Sequence, residues 1–450
     1  MAEFKHLRLT LLIGLIYLPT FGQVKLPETP KPGTFQVITP NQYMPENIIP
    51  IPNVPTVTDF GQNNIQRRNQ QLIRETELRE QQRIEQQKQI YADLKTERIN
   101  YSLPSKSNIP ETSYYRNAFD QLSKLDPNNF SVKEATFLIE NAYFEEQQNF
   151  EDFDKFIKQT GDFLREKMNE LGYDPNSNLA KNFMLFQFFS DTLEIKSKDL
   201  KHLPFKYDFE DYMGVKDWSK MFVSKLLATG SGQCNSLPKL YLILAEEIGA
   251  EAFLSLSPNH SYIRFRDNEE NWYNVELTNG MFTADSFILQ SGYIKSEALL
   301  NEIYMQNLSS KQLLAQLLTG LAMGYVHKFG YDTFVKQVID KALVLYPNLI
   351  NARMVNSNYL TVQFEYATNQ VGINPRNNQE LQNIRYYPPL VQMLNQVNAE
   401  YKTIDDLGFE FMPADAYENW LNSLQETKQK QDNEQMKQQF KNVLNKPLKD

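Results

Sequence analysis

Cysteine is almost absent from this chain, which has one cysteine residue, Cys234, among 450 residues. A single cysteine cannot form an internal disulfide, so a fold stapled by intramolecular disulfides is excluded. A free cysteine is often a small buried apolar residue, and that interpretation stands beside a reactive thiol. The sequence around Cys234 must therefore decide between a structural and a chemical role.

Basic residues are fewer than acidic residues: the chain has 46 Lys and Arg against 55 Asp and Glu, which gives a net charge of -9. This balance argues against a basic surface that binds nucleic acid. The chain has no cysteine pair and no His-x-x-x-His spacing, so we expect no metal site. It has no glycine-rich phosphate loop either, and we expect no cofactor.

Long hydrophobic runs are missing as well. The apolar stretch at residues 9–17 is far shorter than the roughly 20 residues of a membrane-spanning helix. It follows Lys5 and Arg8, and a basic start before a short apolar run is typical of an export signal. We therefore predict a signal peptide at residues 1–22 and a periplasmic or secreted protein without membrane insertion after cleavage.

The export interpretation predicts where the mature chain begins. Mass spectrometry of the exported protein is expected to give an N-terminus near Gln23, because the signal is removed during export. Recovery from membranes of a chain that still begins at Met1 would contradict this interpretation.

Changes of composition divide the remaining chain into four segments. Residues 23–113 begin as a proline-rich tether and continue as a segment rich in Gln, Glu, Lys and Arg, which predicts a solvated helix or disorder. Residues 114–204 carry apolar side chains at helical spacing. Residues 205–300 combine helix and strand signals, and helices return in residues 301–450 before a charged tail.

The C-terminal region contains a pattern that resembles a tetratricopeptide repeat. Gly-Tyr pairs occur at 324–325 and 330–331, and a Tyr-Pro pair follows at 346–347. A helical hairpin that ends in proline has a similar pattern, so one such match leaves both interpretations open. Either way, the C-terminal helices are a candidate surface for a protein partner.

Cys234 lies where a flexible loop leads into a predicted helix. The loop contains Gly232, the apolar residues of 237–248 fall on one helical face, and Gly249 ends the pattern. Free backbone N–H groups and the helix dipole at a helix N-terminus favour a thiolate. This placement favours a chemical role for Cys234.

Two runs of alternating residues, 260–265 and 272–277, predict a β-hairpin. If residues 267–269 form the loop, His260 lies directly opposite Glu276. A register shift of two residues would leave the pair diagonal on one face, and a shift of one would put the two side chains on opposite faces. Side chains directly across two strands have Cβ atoms roughly 4.5–5.5 Å apart, which is close enough for a carboxylate to hold an imidazole.

A thiol beside an imidazole that is oriented by an acid is the arrangement that activates cysteine nucleophiles. The order of Gly-x-Cys at a helix start, His on one strand and an acid on the next resembles the transglutaminase-like superfamily of papain-like folds. The resemblance covers about residues 205–280, and it implies that Cys234 is the nucleophile, His260 the base and Glu276 the orienting acid. Aspartate is more usual in that family than the glutamate found here. Asn274, on the same strand face, is an alternative orienting residue.

An oxyanion hole would also be needed. The backbone N–H of Cys234 can supply one donor, and either Gln233 or a polar residue of 207–212 can supply the second. The sequence leaves these alternatives open.

The predicted fold class is α+β, with a helical N-terminal region, a transglutaminase-like core containing an antiparallel sheet, and a helical repeat-like C-terminal region. The resemblance implies acyl transfer at an amide bond of a protein or peptide substrate, with hydrolysis ahead of cross-linking. The alternatives are a catalytically inactive scaffold of the same fold and a helical-repeat adaptor that binds a protein partner.

Overall fold

The structure is a computed structural model that describes residues 59–94 and 99–430. The predicted signal peptide at 1–22 and the proline-rich tether lie outside the described residues, as does the charged tail at 431–450.

The described chain contains helices and short strands, and it is therefore an α+β protein, as predicted at that coarse level. The helices are α1 (Asp59–Leu94), α2 (Thr112–Leu122), α3 (Val132–Tyr143), α4 (Phe150–Glu170), α5 (Asn178–Ser190), α6 (Val223–Thr229), α7 (Ser236–Ile248), α8 (Asp285–Leu289), α9 (Ser296–Leu300), α10 (Ser310–Phe329), α11 (Thr333–Leu345), α12 (Ile350–Gln370), α13 (Asn378–Leu381), α14 (Pro388–Asp406) and α15 (Ala414–Lys430). The strands are β1 (Leu193–Ile195), β2 (Leu200–His202), β3 (Lys206–Tyr207), β4 (Ser231–Gly232), β5 (Phe253–Ser257), β6 (His260–Arg266), β7 (Trp272–Glu276) and β8 (Met281–Thr283).

The chain forms two compact units. The first contains Pro104–Tyr359 and the described part of Lys402–Asp450, and the second contains the described part of Glu28–Leu103 and Leu360–Tyr401. In the second unit, the Gln370 side-chain amide donates to the carbonyl oxygen of Asn100 at 2.6 Å. The described side chains of α1 are mostly exposed.

The first unit begins with helices α2 to α5. Polar side chains cap three of them, because the oxygens of Ser131, Asn149 and Ser177 accept hydrogen bonds from backbone N–H groups in the first turns of α3, α4 and α5. Residues 126–129 and 172–175, each of which contains a proline or a glycine, lie between helices. Helices α3, α4 and α5 pack against α7, so the N-terminal helices support the helix that follows Cys234.

Strands β5 to β8 form an antiparallel sheet in sequence order, and α7 packs against β5 and β6. The turn between β5 and β6 contains Pro258 and Asn259, whose φ of 56° is the left-handed conformation that asparagine tolerates. Strands β3 and β4 pair in parallel, with Tyr207 beside Gly232. This pairing therefore connects the loop that carries Cys234 to residues 206–207.

The hairpin register differs from the prediction by two residues. Asn274 pairs with Arg264, and the same register places Tyr262, rather than His260, opposite Glu276. The loop spans five residues because the Asp267 carboxylate accepts the backbone N–H groups of Glu269 and Asn271 at 2.9 and 2.8 Å. His260 and Glu276 are consequently diagonal neighbours on one face of the sheet.

The remaining helices of the first unit complete its core. Helices α10 and α11 form a helical hairpin, and the residues of α10 from Leu313 to Val326 are buried. Just before α10, the N–H groups of Met305 and Leu308 donate to carbonyl oxygens of β5 at 2.8 and 2.9 Å. Among the described helices, none has the length and apolar character needed to cross a membrane.

Candidate active site

Cys234 lies two residues before the first residue of α7, as the loop-to-helix pattern predicted. The backbone N–H of Gln233 donates to the Ser236 hydroxyl at 2.9 Å, and the Asn235 side chain donates to the Met221 carbonyl at 2.8 Å. The Ser261 hydroxyl donates to the carbonyl of Cys234, which joins the cysteine loop to strand β6. These bonds fix the position of the thiol between the helix and the sheet.

A buried carboxylate connects the N-terminal helices to the segment before Cys234. The Glu140 carboxylate accepts the backbone N–H groups of Val223 and Ser224 at 2.7 and 2.9 Å, where α6 begins. Lys239 of α7 is buried, and burial lowers its pKa to about 8 although the charge of Glu140 opposes this change. Glu140 therefore joins α3 to the start of α6, and its charge acts on Lys239.

His260 and Glu276 form a buried ion pair. The imidazole Nε2 lies 2.7 Å from the Glu276 Oε2, and Glu276 Oε1 accepts the backbone N–H of Thr278 at 2.8 Å. Burial alone would lower the pKa of His260, but the Glu276 carboxylate and the neighbouring Cys234 raise it to about 10. Burial alone would raise the pKa of Glu276, but His260 and the bond from Thr278 lower it. The imidazole is therefore protonated at neutral pH and donates to the carboxylate.

The second imidazole nitrogen points toward a tyrosine from α15. His260 Nδ1 lies 3.2 Å from the Tyr417 hydroxyl, and that hydroxyl donates to Cys234 Sγ at 3.7 Å. A protonated imidazole can thus donate to the tyrosine oxygen while the tyrosine donates to sulfur. The sulfur also lies 3.9 Å from the carbonyl oxygen of Asn259. Tyr417 therefore contacts both the predicted nucleophile and the predicted base.

The site is closed to solvent. Cys234, His260 and Glu276 are 4, 2 and 4 % exposed. The ring of Trp420, one turn after Tyr417 on α15, makes an edge contact with His260 at a centroid distance of 4.9 Å. Helix α15 therefore covers the three residues that the sequence analysis brought together.

Two further predicted residues have other partners. The Gln233 side-chain amide donates to the Asp211 carbonyl, and its Oε1 has no partner among the described residues. The Asn274 amide donates to Asp285 Oδ1 at 2.7 Å. The structure therefore brings Glu276, and not Asn274, to the imidazole.

The stretch 207–212 contributes Tyr207 to the site. Burial raises the pKa of Tyr207, and the nearby Cys234 raises it further. Its hydroxyl lies within reach of Cys234 and of the Tyr417 hydroxyl. This hydroxyl is thus a second donor candidate near the sulfur, in addition to the backbone N–H of Cys234.

The other described histidines have structural contacts. His202 stacks on Phe188 at 3.7 Å and its Nε2 lies 2.7 Å from the Phe188 carbonyl oxygen, beside a surface groove of about 830 Å³. His327 stacks on Trp218 at 5.4 Å. Burial lowers the pKa of both imidazoles. No group of three acidic, His or Cys side chains suited to a metal ion occurs in the described parts of the chain.

Comparisons of the chain with protein-family models, with curated proteins and with solved structures gave no match.

Tyr417 and Trp420 were not among the site residues predicted from the sequence. Together with Leu421 and Leu424 they lie on one face of α15, and this apolar face is a signal that the helix packs against something. Helical periodicity does not identify the surface that a helix covers, so it could not place this face over Cys234.

Proposed function

We propose that this protein is an exported cysteine-dependent enzyme that transfers the acyl group of a protein or peptide amide, with hydrolysis ahead of cross-linking. The observation that carries the proposal is the 2.7 Å contact between His260 and Glu276, made beside the chain's single cysteine. A buried imidazole that is oriented by a carboxylate and adjacent to a thiol is the chemical requirement for cysteine nucleophilic catalysis.

The proposed reaction has two stages. The Cys234 thiolate attacks the amide carbonyl carbon, and the protonated His260 then gives its proton to the leaving amine as the C–N bond breaks. Water attacks the resulting thioester while the neutral His260 takes a proton from it, and the C–S bond breaks, which releases the acid and regenerates the Cys234 thiolate and the protonated His260. Glu276 keeps the imidazole oriented and stabilises its charge throughout.

The arrangement of elements also supports a transglutaminase-like core. Cys234 precedes a helix that packs against an antiparallel sheet, His260 begins strand β6, and Glu276 ends strand β7. This is the order that the sequence resemblance implies. A resemblance of fold does not choose between hydrolysis and cross-linking, so that preference remains part of the proposal.

Labelling with a cysteine-directed acylating probe tests the proposal. The full chain is expected to be labelled at Cys234, the Cys234→Ala variant is expected to stay unlabelled, and competing peptides are expected to slow the reaction. Mass spectrometry of the digested protein locates the label. Unlabelled wild-type protein under conditions that alkylate Cys234 with iodoacetamide would contradict an acyl-transfer function.

A catalytically inactive scaffold is the second candidate, and the observation that favours it is the burial of Cys234 under α15. In such a scaffold the thiol would be a packing residue. The same experiment separates the two functions. A scaffold thiol would react with the alkylating reagent once the protein opens. It would not discriminate between acylating probes of different peptide sequence.

A further inference from the structure

The segment that covers the site is residues 409–424, which we name the C-terminal cap. It begins after Gly408 as an extended stretch and continues as the first turns of α15. Its buried residues are Phe409, Met412, Tyr417, Leu421 and Leu424. The cap therefore lies on the first unit with a continuous inward face.

The main chain of the cap is held at both ends by asparagine side chains next to the candidate triad. Asn259, which immediately precedes His260, donates to the Met412 carbonyl at 3.0 Å. Asn279, three residues after the end of β7, donates to the Leu424 carbonyl at 2.9 Å. Amide side chains that donate to backbone carbonyls bind a polypeptide without regard to its side chains.

The side chains of the cap occupy the reacting positions. The Tyr417 hydroxyl contacts both His260 Nδ1 and Cys234 Sγ, and Trp420 packs against the imidazole. A substrate carbonyl has to approach the sulfur to within about 3–3.5 Å, so it cannot enter while Tyr417 is in this position.

The closed site leaves several polar atoms without partners. Gln233 Oε1, Asn279 Oδ1 and Trp420 Nε1 are buried and have no hydrogen bond within the described residues. Buried native polar groups are nearly always paired, and each exception costs free energy. The first two belong to the core beneath the cap. They are therefore available to a ligand that replaces it.

We propose that the C-terminal cap is an intramolecular inhibitor that occupies a polypeptide-binding groove over Cys234, and that it leaves before a peptide chain with an aromatic side chain can bind there. This inference rests on the proposed function in one respect, because it takes Cys234 and His260 as the reacting groups. The groove binds backbone carbonyls through Asn259 and Asn279, and the positions of Tyr417 and Trp420 accept aromatic rings.

Alkylation of Cys234 with iodoacetamide in the full chain measures cap opening directly, because the chain has no other cysteine. The Trp420→Ala variant is expected to react about 10- to 100-fold faster than wild type, since it removes the ring that packs against His260. Tyr417→Phe is expected to react several-fold faster, and it perturbs folding less. A synthetic peptide of residues 409–424 is expected to slow alkylation of Trp420→Ala again.

Tyr346→Phe is the matched control, because it removes a buried hydroxyl that donates to the Glu302 carbonyl at 2.6 Å, away from the cap. Equal alkylation rates in Tyr346→Phe, Trp420→Ala and Tyr417→Phe, after correction for their unfolding free energies, would overturn the proposal. If the cap variants are alkylated fast but are not acylated, the inhibitory role of the cap is retained and the enzymatic function is refuted. If wild type and the cap variants are acylated at equal rates, the enzymatic function is retained and the inhibitory role of the cap is refuted.

Discussion

Replacing Cys234 by alanine is expected to reduce amide turnover by about 10⁴-fold or more, because the nucleophile is lost. His260→Gln is expected to have a similar effect, since glutamine cannot accept and return the proton. The double variant should be no worse than either single variant, because the two groups act as a unit. Turnover of a fluorogenic peptide amide, measured in the Trp420→Ala background where the site is accessible, provides the comparison.

The control for this experiment is His202→Gln, which replaces another partly buried histidine outside the site. Glutamine can still donate to the Phe188 carbonyl that His202 contacts, so folding and turnover should be preserved. Turnover that survives in Cys234→Ala would end the enzyme hypothesis and leave the scaffold.

Glu276→Ala is expected to lower the free energy of unfolding by about 3–5 kcal/mol, because removing one partner of a buried ion pair leaves the other uncompensated. Urea denaturation followed by circular dichroism measures this change. Asp340→Ala is the control: it breaks the ion pair with Lys336, in which Asp340 is 54 % exposed, and should cost less than about 1 kcal/mol. Equal losses in the two variants would show that the Glu276 pair does not stabilise the fold.

The pH dependence of this stabilisation follows from the two pKa shifts. The pKa of His260 is raised to about 10, so its contribution is complete below the unfolded value of about 6.5 and is lost as pH rises through about 10. The pKa of Glu276 is lowered, so its contribution is present above about 4.3 and is lost at more acidic pH. The difference between wild type and Glu276→Ala is therefore expected to be largest near pH 5.5 and to shrink by pH 9.5.

The sequence predicted the two strands of the hairpin and the face that carries His260 and Glu276, but the pairing register was wrong by two residues. Alternation with a period of two determines which face a side chain occupies, and it does not determine the loop length. That length depends on the Asp267 carboxylate, which caps the loop, and on Glu270, which adopts a left-handed φ of 64°.

The position of α15 could not be predicted from the sequence. Its amphipathic pattern predicts a helix that needs a partner surface, and the choice of that surface depends on contacts between residues more than 150 positions apart, such as Asn259 with Met412. Local sequence patterns carry no information about such pairs. By contrast, the placement of Cys234 before α7 depends on neighbouring residues, and the sequence predicted it correctly.

The diagonal register gives the length of the acidic side chain a geometric meaning. Cβ atoms of diagonal neighbours are roughly 7–8 Å apart, against about 5 Å for residues directly opposite each other. A glutamate spans this longer gap because it has one more methylene group than an aspartate, whose carboxylate would fall short of Nε2. The length of the loop that begins at Asp267 thus determines whether a glutamate or an aspartate fits better at position 276. A homologue that keeps the 16-residue separation between histidine and acid but closes the hairpin with a loop two residues shorter would place the acid directly across from its histidine, and aspartate would then be the better fit.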